Sequence, residues 1–101
     1  MIDKERRKEA SQNFTQYLQD RLIKKEKNET AKAMYIKNAD LSLNLAEECM
    51  NSSLKPYVWV VVVSYYSMFY IANAVLLELG YKTGDKVVHK VTNDALIVLV
   101  A

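Results

Sequence analysis

At 101 residues, half of them hydrophobic, the chain has the size and apolar content of one compact domain over residues 1–101 and leaves no room for a second. Two Gly and one Pro offer too little turn chemistry for a sandwich or barrel of short strands, so a few long elements are expected. A net charge of +2 excludes a nucleic-acid domain recognisable by charge alone, and the lone Cys49 excludes an internal disulfide or a cysteine metal cluster.

The first segment, Met1 to Glu9, mixes acids with bases and has no apolar stretch behind it, so a cytoplasmic location is expected rather than export. From about Asp3 to Asn28 the chain is rich in Lys, Glu, Gln and Arg, with Ala10, Phe14, Tyr17, Leu18 and Leu22 at three- and four-residue steps and Ile23 beside them. That spacing predicts an amphipathic helix whose charges form a solvated face. A second helix is predicted from Glu29 or Thr30 to about Asn51, with Ala31, Met34, Tyr35, Leu41, Leu45 and Cys49 on or near one face. Asn51-Ser52-Ser53 and Pro56 end it.

Tyr57 to Leu77 holds no charged side chain. Val58-Trp59-Val60-Val61-Val62-Val63 suggests a strand locally, but no second strand with suitable turns is visible to pair with it, so a helix over residues 57–79 is predicted. The stretch is long enough to span a bilayer. Ser64, Tyr65, Tyr66, Ser67, Tyr70 and Asn73 in its middle favour packing against protein, so no membrane association is expected and a single-span protein is the lesser alternative. Gly80 is placed to cap the helix, Tyr81 to Asp85 to form a loop, and Asp85 to cap a last helix beginning between Lys86 and Asp94. The expected architecture is all-α: an up-and-down bundle of about four helices around the central apolar helix.

His89 is the one histidine, and Lys82, Lys86 and Lys90 would share its face were the segment helical, a cluster suited to phosphate or RNA. No acid or second His stands at ligand spacing, so neither a metal nor a cofactor is expected. Tyr65, Tyr66, Phe69 and Tyr70, with Asn73, form an aromatic seam at helical spacing, suited to a packed core or a dimer contact. There is no glycine-rich phosphate loop, no Cys-His pair at suggestive spacing and no Ser on a tight glycine turn. Ser64 and Ser67 are expected to bond back to the preceding turn.

The run from Ser64 through Tyr65-Tyr66-Ser67-Met68-Phe69-Tyr70 and Ala72-Asn73-Ala74-Val75-Leu76-Leu77 to Gly80-Tyr81, followed by His89-Lys90-Val91, resembles the central signature of the HEPN family. The resemblance covers residues 57–100. It implies a four- or five-helix bundle, frequent homodimerisation, and a role as RNase or RNA-binding toxin-antitoxin component, often beside a minimal nucleotidyltransferase. Family ribonucleases carry an Arg followed four to six residues later by His, which this sequence lacks, since Arg6, Arg7 and Arg21 are far from His89. The implied chain is therefore a shortened or non-catalytic member with no catalytic residues, binding RNA through Lys82, Lys86, His89 and Lys90. The competing expectation is a purely structural, homo-oligomerising helical module.

Overall fold

The computed structural model describes residues 2–100. Four helices, α1 (Lys4–Gln19), α2 (Glu29–Asn51), α3 (Tyr57–Glu78) and α4 (Val88–Leu99), account for nearly all regular structure, giving the all-α helical bundle expected. Two three-residue strands, β1 (Ile23–Lys25) and β2 (Tyr81–Thr83), pair antiparallel with Ile23 opposite Thr83, Lys24 opposite Lys82 and Lys25 opposite Tyr81. The described residues form two compact units: one runs up to Asn28 and resumes at Val75, the other is Glu29–Ala74.

In the first unit Asp3 caps α1 by accepting from the Arg6 backbone N–H at 2.7 Å. The expected continuation of α1 to Asn28 does not occur. The helix stops at Gln19, Arg21 takes a left-handed φ of 58°, and the Lys24-Lys25-Glu26-Lys27 run becomes strand and linker despite its helix-forming composition. The cause is tertiary: the turn at Arg21 lets Ile23 enter the core formed with Phe14, Tyr17, Leu76, Val91 and Ala95. The ribbon therefore corrects the expectation of a plain loop at Tyr81 to Asp85. Gly80, with φ of 91°, supplies the left-handed residue after α3.

The second unit is a hairpin of α2 and α3. Ser67 Oγ donates to the Ala39 carbonyl at 2.9 Å, across the hairpin rather than to its own previous turn as expected, and the Tyr35 and Tyr70 rings lie 6.1 Å apart. These contacts identify the α2 stripe that meets α3 as Tyr35 and Ala39, continued by the half-buried Ser42 and the buried Ala46. Met34, Leu41 and Leu45, expected on that stripe, are exposed. Small side chains let the helix backbones approach, and the leucines stand to one side of the contact.

Candidate functional site

The ribbon decides where the basic residues go. Between Arg21 and Lys27 four basic residues stand against Glu26, and between Tyr81 and Lys86 two stand against Asp85, so this segment pair exceeds the +2 of the entire chain. Some 60 residues separate the segments in sequence, and the β1–β2 ladder joins them. Glu26 N–H donates to Gly80 O and Gly84 N–H to Leu22 O, extending the ladder at both ends. With that alternation Lys24 and Lys82 form the closely bonded pair, their Cα atoms about 5.5 Å apart. Ile23, Tyr81 and Thr83 point to the core face, and the two lysines point to the other.

Like charges directly opposed across a ladder destabilise it by roughly 0.2–1 kcal/mol. Acidic relief is slight: Lys24 Nζ lies 3.6 Å from Glu26 Oε1, and Lys24 is exposed. An open crevice of about 480 Å³ beside the ribbon is lined by Lys25, Glu26, Lys27, Leu79, Gly80 and Tyr81. Tyr81 is held edge-on to Phe14, ring centres 5.4 Å apart.

Lys82, Lys86, His89 and Lys90 do not share one helical face, which corrects that expectation. Lys82 is in β2, Lys86 lies in the bend before α4, and His89 and Lys90 belong to the first turn of α4. Lys86 shares a small crevice with Asp20, Arg21 and Asp85, so its charge is locally balanced. Asp85 does not cap α4. The cap position is Val87, with φ of 43° and no side-chain hydrogen bond to the helix. A β-branched residue in the left-handed region is strained, and the leading N–H groups of α4, flanked by Lys86 and Lys90, lack a side-chain acceptor from the cap.

Sequence reasoning missed a second polar centre. Asp94, in α4, is fully buried, with its Oδ2 accepting from Tyr17 Oη at 2.6 Å and Asn13 Nδ2 at 3.2 Å. Its Oδ1 lies 2.7 Å from Arg6 Nη2 but without hydrogen-bond alignment, so that contact is one of charge. Burial alone would raise the Asp94 carboxyl, but the hydrogen bonds and the Arg6 guanidinium outweigh it and hold it below its ordinary value. Burial and the bond to Asp94 push the Tyr17 phenol up to about 12. This cluster fastens α1 to α4. It also engages Arg6, which pairs with Glu9 at 3.3 Å as well. Arg6 thus reaches α4 at Asp94, and five residues along a helix set Asp94 and His89 about 140° apart.

The aromatic seam divides. Tyr70 stacks toward Tyr35 and Tyr66, and Asn73 is buried and donates to the Phe69 carbonyl at 3.1 Å. Phe69 is half-buried, while Tyr65 and Tyr66 are exposed. Burial and the neighbouring Tyr70 raise the Tyr35 phenol. Among the described residues no three His, Cys, Asp or Glu side chains gather as a metal set. Comparison with protein-family models, curated proteins and solved structures finds no match.

Proposed function

We propose that this chain is a HEPN-like, non-catalytic RNA-binding protein that grips the phosphate backbone and acts as a cytoplasmic homodimer beside a nucleotidyltransferase in a toxin-antitoxin-type pair. The observation that carries the RNA reading is the ribbon, which brings Lys24, Lys25 and Lys27 to the Lys82 to Lys90 segment and opposes Lys24 to Lys82. A phosphodiester set against the paired lysines relieves that repulsion. The partner and the dimer come from the HEPN resemblance. RNA titration tests the reading: the Lys24→Ala/Lys82→Ala variant should weaken binding at low salt, and unchanged affinity refutes it.

A purely structural module is the second reading, favoured by the apolar side chains exposed on α2 and α3. Helix α3 is long and apolar enough to cross a membrane, and 22% of its apolar window is buried. Its hairpin partner α2, however, carries exposed Lys37, Asp40, Glu47 and Glu48, which a bilayer would not accept alongside it.

A further inference from the structure

Helix α3 presents an apolar row on the side away from α2. Tyr70 faces α2 through Tyr35, and Ser67 through Ala39. On the opposite side stand Val58, Val61, Tyr65, Met68 and Ala72, at steps of three, four, three and four residues. Val58, Val61 and Met68 are 73%, 69% and 72% exposed, and Tyr65 is 47% exposed. Alternating three- and four-residue steps are the a and d positions of a heptad, the spacing at which two helices interlock side chains along a shallow left-handed crossing.

We infer that this row is the contact between two copies of the chain, α3 against α3, so that two hairpins make a four-helix arrangement. Three observations commit the row to a second copy. Its flanking e and g positions are Val62, Ser64, Phe69 and Ile71, all uncharged, whereas a seam that selects a different partner usually does so through charges there. The row with its flanks exposes on the order of 500 Å² of mostly apolar surface, at the upper end of the largest patch of a typical monomer, and two such faces together reach the ~1,000 Å² that a specific interface needs. The row is also self-complementary: Tyr65 and Met68 lie near its middle, so a two-fold axis there sets each helix against an identical one. This rests on the homodimeric part of the proposed function and gives it a surface distinct from the basic ribbon.

The test is light-scattering mass of the full chain in detergent-free buffer, for wild type and Met68→Glu, with circular dichroism to follow the helices. Wild type should have dimer mass, and Met68→Glu should fall to monomer mass with its helical signal retained. The same mass for both, or a wild-type monomer, overturns the inference, as does recovery of the wild type only in the membrane pellet. If Met68→Glu does not fold, Met68→Cys in a Cys49→Ser background decides. Because a two-fold axis between Tyr65 and Met68 offsets the two introduced thiols along the helices, a short bis-maleimide cross-linker at low concentration should give a covalent dimer, and monomer alone overturns the contact. Loss of RNA binding with the dimer intact would sink the RNA reading and leave this one standing.

Discussion

Replacing Asp94 by Ala should be the most damaging single polar change in the first unit. The carboxylate is fully buried and holds Tyr17, Asn13 and Arg6, all on α1. Its removal leaves the Tyr17 hydroxyl, on a residue 8% exposed, without its acceptor, and takes the charged partner from both hydrogen bonds. Breaking a buried charged pair costs ~3–5 kcal/mol, and the low end applies here because Arg6 is part-exposed and can return to water. About 3 kcal/mol is a large share of the ~5–15 kcal/mol that holds a domain of this size. Urea unfolding followed by circular dichroism should show the midpoint falling by about 2 M at an m-value of ~1.5 kcal/mol/M. Asp94→Asn keeps an acceptor for Tyr17 but sets an amide against Arg6 and Asn13, so its midpoint should lie between the two. A midpoint for Asp94→Ala within ~0.3 M of wild type would refute the claim that this carboxylate fastens α1 to α4.

The same group sets the acid limb of stability. A carboxyl held below its ordinary value of 3.8 contributes stability above that value and loses it as the pH falls through the folded-state value, so wild type should weaken below about pH 4 more steeply than Asp94→Asn in urea melts. Tyr17 acts at the other end: its phenol, raised to about 12, contributes stability that is lost as the pH climbs from ~10 toward that value, a loss that Tyr17→Phe should not show. Val87→Gly should raise stability by ~1 kcal/mol by releasing the left-handed strain at an exposed side chain, read as a higher melting temperature. Ala39→Leu should destabilise the hairpin by ~1–3 kcal/mol through overpacking where Ser67 approaches its carbonyl, read as a lower urea midpoint.

Long, strongly patterned elements were legible. Both ends of α2, the start of α3 at Tyr57 after Pro56 and the left-handed Gly80 follow from local signals, because capping, proline and glycine act within a turn. The end of α1 was hidden because Lys24-Lys25-Glu26-Lys27 favours helix locally, and only the burial of Ile23 against Leu76 and Val91 makes it a strand. The site was half visible for the same reason. Lys82 to Lys90 could be read as basic, but Lys24 became part of the patch only through a pairing across some 60 residues. Asp94 looked like any polar residue of a short helix. Its meaning depends on Arg6, Asn13 and Tyr17 lying along one side of α1, at the far end of the chain from any cue local to α4. On α2 the hydrophobic pattern placed Tyr35 on the contact stripe, where it meets Tyr70, but put Met34, Leu41 and Leu45 there as well, whereas small Ala39 and Ala46 are the buried residues.

The most direct test of the ribbon's role is the salt dependence of RNA binding, measured by anisotropy of a labelled single-stranded RNA between about 50 and 200 mM salt. Wild type should bind with an affinity that falls steeply as salt rises. Lys24→Ala/Lys82→Ala should bind more weakly, with a log–log slope shallower by about 1.4, the share of two phosphates that the variant no longer neutralises. No binding by wild type at low salt, or the same slope for both proteins, would contradict the account.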